Sequence, residues 1–237
     1  KAGYLPHVDE ASQLRREAHL KDLLAQLKAV DAAQLSPDEK LNAEIFRTVL
    51  KNEISEYRFR TWEMPFNSDS SFWTYLDESQ PFDDVEGYRR YIARLRDVPR
   101  YFDEQIVNMR AGLARGFSVP RATLGGRDKS VAAFIVDDPE KSSFYKPFEK
   151  FPSNIPPAQQ EALRTEAKAV IGQTVMPAYN KLLGFIRDDY IPHTPTTIAA
   201  HDLPDGDAFY RAQVREYTTT DMTPQQIHQL GLQEVAR

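Results

Sequence analysis

The stretch PRYFDEQIVNMRAGLARG, residues Pro99–Gly116, predicts the fold class most directly. Its apolar side chains recur at the period of an amphipathic α-helix: Phe102, Ile106, Met109 and Leu113. Proline suits a first helical turn, and glycine readily takes the left-handed backbone that ends a helix. We therefore predict a helix that begins at Pro99 and ends at Gly116.

The same period recurs on both sides of this stretch. One apolar stripe runs from Leu20 to Val30, and Ser36-Pro37-Asp38-Glu39 begins a second helix that reaches about Phe59. We expect these two helices to form an antiparallel pair, with the second burying one face: Leu41, Ile45, Val49 and Leu50. Further helices are predicted over about 85–95, 121–136, 157–186 and 207–217, with Pro177 kinking or splitting the third of these.

No alternating strand pattern longer than a few residues survives anywhere in the chain. The predicted class is all-α, a multi-helical, irregular array with long ordered loops. We expect one helical region over residues 1–237, without a confident internal boundary. Segment 61–82 has no helical period and is rich in aromatic residues, which favours packing into the core over a role as a pocket wall.

The last residues predict a helix that the chain does not close. Thr223 is a candidate N-cap, Pro224 suits the first helical position, and Gln226 completes a capping box. Ile227, Leu230 and Val235 then fall on or near one face, and no Gly, Pro or polar run follows before Arg237. We therefore expect the chain to be the N-terminal part of a larger helical fold, with this apolar patch exposed when the chain is alone.

Composition excludes several classes of protein. The formal net charge is −5 and no basic stripe is present, which argues against nucleic acid as a partner. The longest apolar run, Val131–Val136, is far shorter than the ~20 residues of a membrane span. The chain has no cysteine, so disulfides and thiolate metal sites are excluded. Export to the periplasm, including as a lipoprotein, with a signal removed and a cytoplasmic location both remain open.

Catalytic and metal-binding patterns are absent from the sequence. The histidines never stand four residues apart, the spacing that places two metal ligands on one helix face. His193 and His201 share a loop with several aspartates, but solvated loop and capping roles explain them better. No Gly-x-Ser-x-Gly occurs, and Gly125-Gly126-Arg127 reads as a turn rather than a phosphate loop. We predict no catalytic residue and no metal ligand in this chain.

Two phrases nevertheless resemble a known family. One is Leu203-Pro204-Asp205-Gly206 followed by Phe209-Tyr210 and by TTTDMTPQQIHQLGLQEVAR, residues 218–237. It resembles the bacterial domain of unknown function 885 family, whose members tend to read TTTxLTPxxIHxLGLxEV here. The other is Arg110-Ala111-Gly112-Leu113-Ala114-Arg115-Gly116 with Val119-Pro120-Arg121, and it looks like the family's R-x-G-x-x-x-G…P-R phrase. Trp62–Leu76 matches more loosely.

The resemblance implies a largely helical protein about twice this length, similar to zinc carboxypeptidases and to oligopeptidases of the neurolysin type. The zinc site it implies uses a motif like HExxPGHH and a later Glu, both downstream of the last phrase. The resemblance therefore transfers no zinc ligand and no general base to this sequence. Zinc is expected in the full-length protein, and this chain alone is expected neither to bind zinc nor to cleave peptides.

We therefore interpret the chain as the N-terminal helical portion of a zinc-dependent peptidase-like hydrolase that forms one wall of a peptide-sized cleft. The residues expected to line the cleft are segment 61–82, Tyr210 and the corner from Thr218 to His228. The substrate-binding candidates among them are Tyr210, Thr218, Thr219 and His228. Its partners would be a peptide substrate and the missing C-terminal half, or a second copy through self-association. The alternative is a self-contained helical binding module for a small ligand or a partner protein.

Overall fold

A computed structural model describes residues 3–76 and 82–237 of the chain. These residues are largely helical and contain no strand, which confirms the all-α class. The α-helices in chain order are α1 (Glu10–Ala29), α2 (Pro37–Phe59), α3 (Val85–Arg115), α4 (Arg127–Ala132), α5 (Pro157–Val170), α6 (Met176–Gly184), α7 (Ile191–His193), α8 (Gly206–Thr218) and α9 (Pro224–Ala236).

The helices belong to two compact units. Unit 1 contains the described residues of Lys1–Asp9 together with Glu63–Thr196, and unit 2 contains Glu10–Trp62 together with Thr197–Arg237. Each unit is built from two separate stretches of sequence, so no single linker marks a boundary between them. That arrangement explains why composition along the chain shows no sharp change.

Helix α3 lies at the centre of unit 1. The Asp84 side chain caps its start by accepting a hydrogen bond from the Gly87 N–H at 2.7 Å, and Gly116 ends it with a left-handed backbone, φ 79°. Gly116 thus ends the helix as predicted. Three of the predicted apolar residues are buried in the core, and the fourth is half-buried: Phe102, Ile106, Met109 and Leu113.

The predicted start of this helix is wrong, because Pro99 lies inside α3 rather than at its beginning. A proline in a helix interior removes one hydrogen bond, here to the Leu95 carbonyl, and costs about 3 kcal/mol. Leu95 and Val98 are both buried in the core of unit 1. Their burial, at ~1.5–3 kcal/mol for each side chain, offsets the lost bond and keeps the helix continuous.

A second long helical run packs beside α3. It consists of α5, α6 and α7, joined by π-helical turns at Ile171–Val175 and Phe185–Tyr190. The irregularity predicted at Pro177 therefore lies just before this residue. It is a π-helical turn, and the helical run continues through it. Pro177 has no N–H to bond to Gln173, which lies in the first π-helical turn, so the helix resumes without a further irregularity.

The described part of segment 61–82 packs mainly into the core of unit 1, as favoured from its composition. Phe66 and Trp73 are buried, with ring centroids 5.0 Å apart in an edge-to-face arrangement. The Tyr179 hydroxyl donates a hydrogen bond of 2.7 Å to the Trp73 carbonyl. Residues 77–81 of this segment lie outside the described residues.

The family-like phrase around Gly112 holds Glu63 against α3. A Cβ atom at Gly112 would lie 2.6 Å from the Phe117 carbonyl oxygen and 2.7 Å from that of Glu63, so the two backbones approach too closely for any larger residue. Arg115 Nε donates to the Glu63 carboxylate at 2.5 Å, and that carboxylate is buried. Arg121, from the second part of the same phrase, donates hydrogen bonds to the Pro192 and Thr194 carbonyls.

In unit 2, α1 and α2 pack against each other. Ser36 and Glu39 form the predicted capping box at the start of α2. The predicted buried face of α2 is wrong for three of its four residues: Leu50 is buried, but Leu41, Ile45 and Val49 are 60%, 53% and 48% exposed. One side of α2 therefore faces solvent at these positions.

Helices α8 and α9 complete unit 2. The Phe59 and Phe209 rings pack edge to face with centroids 5.3 Å apart, which attaches α8 to α2. Thr223 and Gln226 form the predicted capping box of α9. Leu230 and Val235 are exposed, as predicted for this patch, while Ile227 is half-buried.

We predict that Gly112→Ala destabilises unit 1. The added methyl group overlaps two backbone carbonyls that cannot move independently, and overpacking of this kind costs about 1–3 kcal/mol. Urea unfolding followed by circular dichroism measures the change in the free energy of unfolding. Gly184→Ala in α6 is the matched control, because a Cβ there meets nothing within 4 Å and helix propensity favours alanine by ~1 kcal/mol. Equal stability of the two variants would contradict the close approach.

Candidate functional site

The largest cleft described for unit 2 lies beside α8, and we call it the α8 cleft. It has a volume of about 590 Å³, within the range of small-ligand pockets. Its lining residues are Ile198, Ala199, Ala200, His201, Asp207, Tyr210, Arg211, Thr223, Pro224 and Gln225. The walls therefore come from the segment before α8, from α8 itself and from the first turn of α9.

The Leu203-Pro204-Asp205-Gly206 phrase sets the first wall of the α8 cleft. Asp205 takes the left-handed backbone, φ 54°, and the Gly206 N–H donates to the Leu203 carbonyl at 2.8 Å. A Cβ at Gly206 would lie 2.2 Å from the Ala200 carbonyl oxygen, so only glycine allows the helix to start this close to the preceding turn. The phrase thus fixes the position of Ala200 and His201 relative to α8.

The threonine-rich corner between α8 and α9 leads into the residues of α9 that line the cleft. Thr218 Oγ1 donates to the Val214 carbonyl at 2.7 Å and accepts from the Thr220 N–H at 3.3 Å. Thr219 ends α8 in the left-handed conformation, φ 55°, which a β-branched residue rarely adopts. The chain then reverses and Thr223 caps α9, which places Pro224 and Gln225 at the cleft.

A second, more polar groove lies between α2 and α8. Its volume is about 340 Å³, and its lining residues are Thr48, Lys51, Asn52, Ser55, Ala212, Arg215, Thr219, Thr220 and Asp221. Arg215 Nε and Asp221 Oδ1 are 3.0 Å apart across its edge. The hydroxyl protons of Thr48 and Thr219 are already donated to backbone carbonyls, so these side chains offer the groove only acceptors.

The predicted substrate-binding residues do not all meet in one place. Tyr210 lines the α8 cleft and Thr219 lines the α2–α8 groove. Thr218 belongs to the corner between them, where its hydroxyl is engaged by backbone groups. His228 is exposed on α9 and lines neither of these two clefts. Their roles in binding remain predictions.

The charged residues of the α8 cleft were not predicted as a site. Asp207 and Arg211 stand four residues apart on α8, yet they form no ion pair with each other or with another described residue. His201 Nε2 lies 2.9 Å from Asp202 Oδ1 and is exposed, in keeping with the solvated role expected for it. The sequence spacing of Asp207 and Arg211 resembles that of an ordinary helix-surface pair, so nothing in it marks them as cleft residues.

In the described part of the chain, one group of three side chains has the separations of a metal site: His7, Asp9 and Glu104. It does not fit a zinc ion. Arg100 Nη1 lies 3.1 Å from His7 Nδ1 and 2.7 Å from Glu104 Oε1, so a guanidinium already stands between two of the ligands. Asp97 fixes that guanidinium with two hydrogen bonds of 2.6 and 2.8 Å. We derive no metal chemistry from this group.

The Arg100 cluster instead docks the N-terminal segment on α3. The Leu5 N–H donates to Asp97 at 2.8 Å and the Val8 N–H donates to Glu104 at 2.6 Å. Burial alone raises the pKa of both carboxyl groups. Hydrogen bonds from Arg100 and from these backbone N–H groups outweigh burial, so the pKa values of Asp97 and Glu104 are lowered from their ordinary values.

The geometry defines an all-α, multi-helical protein with ligand-sized clefts in unit 2. Residues 1–237 match the family described as "Bacterial protein of unknown function (DUF885)", and the chain belongs to this family. The fold is similar to that in the crystal structure of the "putative lipoprotein from Colwellia psychrerythraea", with a TM-score of 0.83 at 20% identity. The similarity covers 97% of this chain and 42% of that chain, so the present chain spans less than half of that protein. No curated protein matches.

None of the described helices is both long and apolar enough to cross a membrane. This finding agrees with the prediction made from the short apolar runs in the sequence.

We predict that acid weakens the docking of the N-terminal segment through Asp97 and Glu104. Because their pKa values are lower in the folded state, they stabilise it above their unfolded pKa values of ~3.9 and ~4.3, and this contribution is lost as the pH falls through the folded values. Arg100→Gln should flatten the dependence of the unfolding free energy on pH between about 5 and 2. Urea unfolding at several pH values measures this dependence.

Arg96→Gln is the matched control for this experiment. Arg96 lies on the same helix and pairs with Glu166 across an exposed surface, where ion pairs contribute about 0–1 kcal/mol. This variant should keep the acid dependence of the wild type. The same acid dependence in Arg100→Gln as in the wild type would show that the cluster does not carry the effect.

Proposed function

We propose that this chain is the helical portion of a zinc-dependent peptidase-like hydrolase, and that the α8 cleft forms one wall of its peptide-binding site. The reaction class is proposed on what the sequence resemblance implies, since the family that the chain belongs to is itself described as of unknown function. The observation that carries the location is that residues of two family-like phrases, Tyr210 of the first and Thr223, Pro224 and Gln225 of the second, line one cleft.

The chemistry of the α8 cleft suits a short peptide. Ile198, Tyr210 and Pro224 offer apolar surface for side chains. Asp207 and Arg211 carry opposite charges that no described residue neutralises, so they can pair with the amino and carboxyl groups of a peptide. A ligand with both charges and apolar side chains matches this lining better than a wholly apolar one.

Hydrolysis itself is assigned to residues outside this chain. Zinc, if bound in the proposed full-length protein, would supply a water of lowered pKa and polarisation of the scissile carbonyl. The chain described here would bind and orient the peptide without cleaving it. Stoichiometric tight zinc binding by this chain would contradict that division of roles. Export is proposed on the name of the lipoprotein of similar fold alone.

We predict that Tyr210→Ala weakens peptide binding to the chain. Loss of the ring removes contact surface from the α8 cleft, and about 1 kcal/mol corresponds to roughly a fivefold weaker affinity. A mixture of tripeptides titrated against the ¹⁵N-labelled chain, followed by amide chemical shifts, measures affinity and position together. Tyr217→Ala is the matched control, because Tyr217 is an exposed tyrosine of the same helix that does not line the cleft.

Two results would reject the proposed location. The first is saturable binding whose shifts avoid residues 198–211 and 223–225. The second is an equal loss of affinity in Tyr210→Ala and Tyr217→Ala. Absence of any binding would reject the peptide itself as the ligand of this chain.

Unit 2 is further proposed to pack against more polypeptide, either the remainder of the full-length protein or a second copy. Exposed apolar side chains on two helices support this: Leu41, Ile45, Phe46 and Val49 of α2, and Leu230, Leu232 and Val235 of α9. The spacing of the α2 residues places most of them on one side of the helix.

We predict that the chain binds a hydrophobic fluorescent dye and that Ile45→Glu/Val49→Glu lowers the bound fluorescence severalfold. Charge on this surface opposes contact with an apolar dye. Asn42→Glu adds charge to the same helix at an exposed polar position and should leave the signal unchanged. A monodisperse monomer that binds no dye would instead favour the self-contained binding module.

A further inference from the structure

Unit 2 contains another cavity, which differs in chemistry from the α8 cleft. We call it the Tyr57–Trp62 groove. Its volume is about 300 Å³, and its lining residues are Gln13, Glu53, Glu56, Tyr57, Thr61 and Trp62. All of these residues come from α1, from the second half of α2 and from the turn that follows it.

Two aromatic rings form the walls of the groove. Helix α2 ends at Arg60, which takes the left-handed backbone, φ 56°, and its N–H bonds back to the Glu56 and Tyr57 carbonyls. The 3₁₀ turn Thr61–Glu63 then brings Trp62 beside Tyr57, with ring centroids 5.6 Å apart and planes at 43°. Both rings line the groove, and the face of an aromatic ring carries partial negative charge.

The Trp62 ring already contacts one cation in the structure. The Arg60 guanidinium lies over it, with its central carbon 5.6 Å from the ring centroid. Arg60 Nη2 is also paired with Glu10 Oε1 at 2.7 Å, so its charge is compensated outside the groove. The distance of 5.6 Å is within the range of a cation–π contact, so a cation already lies over the Trp62 ring.

Carboxylates supply negative charge at the groove. Glu53 and Glu56 lie one turn apart on α2, and Glu216 of α8 is close enough to interact with both. Burial and the repulsion of Glu56 and Glu53 together raise the pKa of the Glu216 carboxyl. Gln213 donates to Glu56 at 2.9 Å, which satisfies one oxygen without adding positive charge.

The positive charges nearby do not cancel these carboxylates. Arg16 interacts electrostatically with Tyr57 and donates to Gln13 at 3.3 Å. Glu17 also acts on Tyr57, but Lys21 pairs with it at 2.6 Å. Three carboxylates, those of Glu53, Glu56 and Glu216, therefore lie close together, and neither Glu53 nor Glu216 forms an ion pair within residues 3–76 and 82–237.

We propose that the Tyr57–Trp62 groove is a binding site for an alkylammonium group, such as a lysine side chain or an aliphatic amine. The aromatic walls attract a weakly hydrated organic cation and contact its methylene groups, while Glu53 and Glu56 accept its N–H bonds. A hard divalent cation is not expected here, because it requires six or more oxygen ligands or retained waters, which aromatic walls do not provide.

The test uses butylammonium chloride as the probe and the ¹⁵N-labelled chain as the receptor. The expected result is a saturable shift of the Trp62 indole N–H and of backbone amides in residues 53–62. The Trp62 signal is assigned by its loss in Trp62→Phe. Butanol, the neutral analogue, should produce no saturable shift, and MgCl₂ at equal ionic strength should not compete.

Charge variants then test the role of the carboxylates. Glu53→Gln and Glu56→Gln should each weaken butylammonium binding at least about fivefold, and Trp62→Leu should abolish it. Glu44→Gln is the matched control, because it removes one carboxylate from the same helix at a position paired with Arg47. Tyr210→Ala should also leave binding unchanged, which separates this site from the α8 cleft. Circular dichroism confirms that each variant is folded.

Three outcomes would overturn the proposal. Equal shifts with butanol would show that charge is not recognised. Competition by Mg²⁺ would show an unspecific acidic surface. Unchanged affinity in both Glu53→Gln and Glu56→Gln, with each variant folded, would place the binding elsewhere.

Discussion

The architecture of unit 1 depends on how closely other segments approach α3. At Gly112 the missing side chain lets the Glu63 and Phe117 backbones come within a distance that no Cβ allows. That approach places the Glu63 carboxylate in a buried position, where it accepts a hydrogen bond from Arg115. Arg115 also contacts the Phe117 ring. The central carbon of its guanidinium lies 4.3 Å from the ring centroid. A glycine and an arginine one turn apart therefore determine where Glu63 lies against α3.

Local patterns in the sequence predicted local features well. The capping boxes at Ser36 and Thr223 and the terminal glycine at Gly116 depend on neighbouring residues only, and all three are present in the structure. The wrong predictions concern features that are determined by contacts between residues far apart in the sequence. Pro99 reads as a helix start, yet packing on both sides of it keeps α3 continuous. The apolar face of α2 reads as buried, but periodicity predicts that a face is apolar and not that a partner covers it.

The candidate sites were less predictable than the helices. Tyr210 was identified through a family phrase, and it does line a cleft. Asp207 and Arg211 were missed because their spacing is ordinary for a helix surface. The Tyr57–Trp62 groove could not have been found from spacing at all, because it needs the left-handed Arg60 to turn Trp62 back and Glu216 to approach from more than 150 positions along the chain.

Residues 10–62 leave unit 1 and rejoin it at neighbouring points of α3. Just before residue 10, Val8 is held by Glu104 and by Asn108 of α3. Just after residue 62, Glu63 is held at Gly112 and Arg115 of the same helix. At a rise of about 1.5 Å per residue, Asn108 and Gly112 are roughly 6 Å apart along the helix axis. So small a gap can be bridged by a linker of a few residues, so removal of residues 10–62 would leave the two ends of unit 1 close together on α3.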